Sequence, residues 1–276
     1  MRNAMITLLL AGAGTASAQV VFSSAGSDAS VQATVDAFRA SLGTLNPNAP
    51  GSLGSGRREI NWDAVGDAFS SPNAFPGDFL NQPVVPRARG AQFTTPGSHL
   101  EVSANAVNPA NAATNFGHID PSYTAEFRAF SPQRLFSAIG SNIVDVTFHD
   151  PGFTTPAFTN AFGAIFTDVD LDGSTFMEFF GVNGNLLRTE VVPASSAGQG
   201  GFSFVGVQFD VGQRLGSVRI HSGTHALANG LLDTPNSGVD LVVMDDFIFG
   251  EPIVPAPGSA ALLAAAGVLL PRRRRS

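Results

Sequence analysis

From Ile143 onward, apolar residues recur with a period of two, in short runs rich in Val, Ile and Phe that end on Gly, Asn or Pro. Alternation of this kind buries one face of a strand, and repeated short runs separated by turn signals are what an antiparallel sandwich requires. The clearest unit is Thr175 to Phe180, then Val182-Asn183-Gly184-Asn185, then Leu186 to Val192. Asn-Gly suits a type I′ hairpin turn, because both central residues can take positive φ. Phe202 to Phe209, Leu215 to His221 and Val239 to Phe249 supply further strands, and Val239, Leu241, Val243, Phe247 and Phe249 are expected to fill a core. The expected fold is mainly β, an antiparallel jelly-roll-like β-sandwich over residues 59–252. With 23 Phe, 43% hydrophobic residues and only 13% charged, the chain has the apolar material for such a core and too little charge for disorder.

Before the sandwich, residues 19–58 read as a helix and loop lead-in. Val31, Val35, Phe38 and Leu42 are spaced to share one helical face, with Asp28 or Ser30 as N-cap and Gly43 as the stop. This predicts one short amphipathic helix. The Asn, Pro, Gly and Ser run from Asn46 to Gly56 predicts a surface loop after it.

Charge and cysteine usage narrow the chemistry. All 15 basic residues are Arg, and five of them, Arg2 and Arg272 to Arg275, sit in the end segments, leaving 10 Arg against 22 acids, or −12, in the body. A surface that acidic disfavours nucleic acid and anionic lipid and favours divalent cations. The absence of Cys excludes disulfides, thiolate zinc sites, iron–sulfur clusters and a Cys nucleophile.

The two ends carry an address. Residues 1–18 read as a signal peptide: Arg2 is the charged start, Met5 to Ala13 the apolar stretch and Ala16-Ser17-Ala18 the small-residue cleavage site. At the other end, residues 253–276 run through Pro255-Ala256-Pro257-Gly258, an apolar stretch to Leu270, and Pro271 before Arg272, Arg273, Arg274 and Arg275. As a helix rising ~1.5 Å per residue, the apolar stretch spans roughly 20 Å, short of the ~30 Å hydrocarbon core. Pro255, Pro257, the C-terminal hydrophobic helix and the Arg cluster resemble the bacterial PEP-CTERM sorting signal, although Ala256 stands where that family usually has Glu. The resemblance implies an exosortase-type processing enzyme as partner, transient membrane anchoring, and delivery to the outer cell surface or extracellular space. An uncleaved anchor is the alternative. Gly56 to Asp63 and Met244 to Phe247 with Gly250-Glu251-Pro252 are similar to segments of secreted bacterial proteins bearing such tails, and that similarity brings no reaction with it.

Within the body, Asp168-Val169-Asp170-Leu171-Asp172-Gly173 matches the first half of an EF-hand loop, but Phe179 occupies the position of the closing carboxylate. This excludes a helix–loop–helix site. It leaves either a looser calcium site built from Asp168, Asp170 and Asp172 with Asp240, Asp245 or Asp246, or a solvated turn. His221 and His225 flank Ser-Gly-Thr, which suits a strand exit better than a pair of aligned metal ligands. No Gly-x-Ser-x-Gly elbow, His-Glu-x-x-His motif or phosphate-binding loop is present. Trp62, between Asn61 and Asp63, is a candidate platform for a sugar ring or else a core anchor. The expected function is that of an exported, non-catalytic surface or exopolysaccharide-associated protein, structural or carbohydrate-binding. The alternative is a secreted polysaccharide hydrolase using a pair of Asp or Glu carboxylates.

Overall fold

The computed structural model describes residues 19–255. The segment read as a signal peptide, the C-terminal apolar stretch expected to form a helix, Pro257 and Arg272 to Arg275 lie outside these residues. Among the described residues no helix is long and apolar enough to cross a membrane.

The body is mainly β, as expected. The strands are β1 (Val20–Gly26), β2 (Arg57–Ile60), β3 (Ala91–Thr94), β4 (His99–Val102), β5 (Phe136–Ile139), β6 (Ile143–Phe148), β7 (Ala161–Thr167), β8 (Phe176–Gly181), β9 (Leu186–Val191), β10 (Phe202–Gln208), β11 (Leu215–His221) and β12 (Val243–Gly250). A seven-stranded sheet runs β1-β10-β7-β12-β5-β4, with β2 added to β12, and a five-stranded sheet runs β3-β6-β11-β8-β9. Every strand pairing is antiparallel. The core between the sheets is dense in Phe and includes Phe93, Phe136, Phe162, Phe179 and Phe247. Burying each such side chain contributes about 1.5–3 kcal/mol against chain entropy.

β8 to β11 fall on the runs read as strands, whereas the last strand, β12, begins at Val243 and not at Val239. The N-terminal part departs from expectation. Residues 20–42 join the sandwich directly: β1 pairs along its whole length with β10. Helix α1 (Asp28–Leu42) lays Val31, Val35, Phe38 and Leu42 on the outer face of the seven-stranded sheet. Its N-cap is Ser27, whose Oγ accepts the Ser30 N–H at 3.3 Å, and Gly43 ends it with φ of 88°. The β8–β9 turn also differs. Only Gly184 has positive φ, at 78°, and the Gly184 N–H donates to Gly181 O at 2.8 Å. The loop is therefore a type I turn closed by a left-handed Gly, the three-residue alternative to type I′.

The segments Gly56 to Asp63 and Met244 to Pro252 lie against each other. β2 pairs with β12 from Ile60↔Phe247 to Arg57↔Gly250. The buried Arg58 guanidinium makes a bidentate pair with Glu251, at 2.7 and 2.8 Å. Burying such a pair is tolerable because the remaining donors also find acceptors, among them Pro47 O at 3.1 Å.

Candidate metal centre

The chain leaves β7 on Asp168, whose φ of 71° is left-handed, a conformation Asp tolerates better than bulky residues. The Asp168 N–H donates to Gly201 O at 2.8 Å, and the Gly200 N–H donates to Asp168 Oδ1 at 2.9 Å. The turn into β10 thereby fixes the carboxylate. The side chain is 0% exposed, and its second oxygen, Oδ2, is buried with no hydrogen-bond partner.

Two further carboxylates reach the same point from distant loops. Glu126 ends the short helix α2 (Tyr123–Glu126), and Asp233 lies between β11 and β12. One oxygen from each of Glu126, Asp168 and Asp233 lies within 4.8 Å of the other two. A small apolar cluster of Tyr123, Phe127, Leu135, Leu227, Leu241 and Val243 packs these loops onto the end of the seven-stranded sheet. The Tyr123 hydroxyl lies 2.9 Å from Ala228 O and 2.8 Å from Leu231 O, and so clamps the loop that carries Asp233 to the helix that carries Glu126. The Leu241 N–H donates to Asp233 Oδ1 at 2.7 Å, and Gln199 Nε2 donates to Glu126 Oε2 at 3.0 Å.

The Asp168 and Asp233 carboxyls hold protons far above the usual carboxylate range. Burial, opposed by the Gly200 hydrogen bond and reinforced by the charges of Glu126 and Asp170, pushes Asp168 up to about 9. Burial and the charges of Asp240, Glu126 and Asp170 push Asp233 up to about 7. Asp170 is raised by burial and by Asp240 and Glu126. No basic side chain acts on any of the three. A site with several acids and no cation must take up protons or a metal. The donors are all carboxylate oxygens, which suits a hard cation. Calcium–oxygen bonds of 2.3–2.6 Å allow oxygens separated by up to about 5 Å to touch one ion.

The sequence-predicted calcium ligands are only partly brought together. Asp168 is in the site and Asp170 borders it, whereas Asp172 is exposed on the turn. Asp240 is buried beside the site, but its oxygens accept from the Asp170 N–H at 3.1 Å, the Leu171 N–H at 3.3 Å and the Ser174 hydroxyl. It closes the turn and adds negative charge. Asp245 and Asp246 belong elsewhere, in β12, where their partners are Phe130, Ser131 and Arg39. Glu126 and Asp233 carry no motif around them, so local spacing could not reveal them.

Trp62 is not an exposed platform for a sugar ring. It is 1% exposed, its ring stacks on Phe136 at 4.0 Å, and its Nε1–H donates to Asp245 O at 2.7 Å, so it anchors the core. His221 stacks on Phe176, and His225 instead faces the Thr224 hydroxyl. Pro255 is exposed at the end of the described residues. No family model matches the chain, and no curated protein matches it.

Proposed function

We propose that the protein is an exported, non-catalytic component of the cell surface or of its exopolysaccharide matrix, whose β-sandwich is locked by a calcium ion held by Glu126, Asp168 and Asp233. The observation that carries the calcium reading is the buried, unpartnered Oδ2 of Asp168 facing two further carboxylates. The address rests on the N-terminal signal-like segment and on the Pro-rich, apolar, Arg-ended tail, which reads as a PEP-CTERM signal for an exosortase-type enzyme. The two antiparallel sheets suit a jelly-roll variant, an architecture that also serves non-catalytic surface domains. Outside the cytoplasm calcium is abundant, and sites with Kd on the order of 10⁻⁴–10⁻³ M are filled there.

The test is thermal melting of the purified protein in EGTA, in calcium and in magnesium. Several millimolar calcium is expected to raise the midpoint by about 5 °C, as mass action on a site of ~0.1 mM affinity requires. Magnesium should do much less, and Asp168→Asn should abolish the calcium effect. Identical melting curves in EGTA and calcium would remove the proposal. Mass spectrometry of the protein from its own envelope tests the address: a mature chain starting at Gln19 and ending near Pro257 is expected, and retention of Arg275 would replace sorting by simple anchoring.

A further inference from the structure

Ten Arg residues lie within residues 19–255, and seven of them form ion pairs; Arg87 and Arg89 form none among the described residues. In a body with 22 acids, an unpaired guanidinium is itself informative. Arg214 rests over the Phe158 ring. Arg87 and Arg89 line the same cavity, about 150 Å³ in volume, whose apolar wall is Trp62, Val65, Phe79 and Leu80.

Arg89 is only 7% exposed. Its Nη1 donates to Glu59 O at 2.8 Å and its Nε to Pro86 O at 3.3 Å. Those carbonyls orient the guanidinium but do not neutralise it, and no carboxylate among the described residues pairs with it. Burial, with Arg58 nearby, lowers its pKa to about 10, which leaves it cationic at neutral pH. Arg87 is half-buried over Phe79, 3.9 Å from the ring centroid, so its charge is held beside the same apolar wall. A buried cation facing an apolar space is costly unless an anion shares it. The volume is close to that of an apolar protein cavity known to take up benzene.

We propose that this cavity binds a small aromatic monocarboxylate, its ring against Trp62, Val65, Phe79 and Leu80 and its carboxylate on the guanidiniums of Arg89 and Arg87. The indole N–H of Trp62 is already committed to Asp245 O, so the indole contributes apolar surface only. Discrimination therefore comes from the two cations, and a neutral molecule of the same shape loses it. None of the calcium ligands lines this cavity, so the inference stands or falls separately from the metal site.

Trp62 is the chain's single Trp, so its fluorescence reports directly from the cavity wall. Titration of the full chain with benzoate is expected to give a saturable change with Kd on the order of 0.1–1 mM, within the efficiency range of small ligands. Benzyl alcohol, the neutral analogue, should bind at least about tenfold more weakly, as loss of a charge-assisted contact requires, and acetate should leave the signal unchanged. Ala64→Leu, which fills the cavity and leaves both Arg in place, should abolish the benzoate response. Arg89→Gln should narrow the gap between benzoate and benzyl alcohol, with Arg87 alone retaining a part of it. No saturable response to benzoate, equal binding of benzoate and benzyl alcohol by the unaltered protein, or a benzoate response that survives Ala64→Leu would each overturn the proposal. If Arg89→Gln does not fold, Ala64→Leu and the benzyl alcohol comparison still decide it.

Discussion

Asp245 and Asp246 stand side by side in β12, a strand whose every residue is buried. The ladder accommodates them by a bulge: Met244 pairs with Phe166 and Phe247 with Ala164, so three steps on one strand match two on the other. Asp245 Oδ2 accepts the Phe130 N–H at 2.5 Å and the Ser131 N–H at 3.2 Å, while Asp246 accepts the Ser131 hydroxyl at 2.7 Å and Arg39 at 3.3 Å. Burial and the charge of Asp246 push the Asp245 carboxyl well above the usual range. The Asp246 carboxyl is raised by burial too, with the Ser131 hydroxyl and the Arg39 charge opposing the rise. An Asn at position 245 retains an acceptor for the backbone donors and supplies a donor towards Asp246. Asp245→Asn is expected to shift the urea midpoint little, whereas Asp245→Ala, which strands two backbone N–H groups, should cost about 1–3 kcal/mol. Equal losses for the two variants would mean that an acceptor for these backbone donors is unimportant to the fold.

At the scale of elements, α1 depends on a pair of glycines. Gly163 of β7 and Gly206 of β10 face each other across the ladder, and a Cβ on either would come within 2.9 Å of the Phe38 ring. On Gly163 it would also meet the Gly206 backbone at 2.9 Å. The bare backbone is therefore the seat in which the Phe38 ring rests. Gly163→Ala is expected to destabilise the protein by about 1–3 kcal/mol through overpacking, read as a lowered melting midpoint, with Phe38→Leu partly restoring the double variant. This seat was invisible to pattern, since the helical face of Phe38 could be read but not what it would meet. The same asymmetry runs through the fold. β8 to β11 were legible as short apolar runs bounded by turn signals, whereas Arg57-Arg58-Glu59-Ile60 fell across the boundary drawn between the lead-in and the sandwich. It forms a strand because Glu251, far along the chain, neutralises Arg58 in the interior. At the candidate metal centre, Asp168 could be found from its Asp-x-Asp-x-Asp-Gly setting. Glu126 and Asp233 could not, because an apolar cluster around Tyr123, and no local spacing, brings them to it.

For the whole molecule, the acidic centre couples stability to pH and to calcium together. Asp168 and Asp233 hold protons up to about 9 and about 7 in the folded state, against an ordinary carboxylate value of 3.8. A folded-state pKa raised in this way means that the native protein binds more protons than the unfolded chain at intermediate pH. Its contribution to stability is complete below about pH 4 and is lost as pH rises through the folded-state values. Without calcium, the melting midpoint should therefore fall between about pH 6 and 9. On the calcium reading the ion takes the place of the protons, so its presence should flatten that fall, and binding near pH 7 should release between about one and two protons per ion. Calorimetric titration in buffers of different ionisation enthalpy measures that release. Asp168→Asn removes the buried charge for good: it should make the calcium-free protein more stable than the unaltered chain at pH 8 and leave it indifferent to calcium. A release that persists in Asp168→Asn, or a calcium-free midpoint that rises from pH 6 to 9, would place the coupling in other groups.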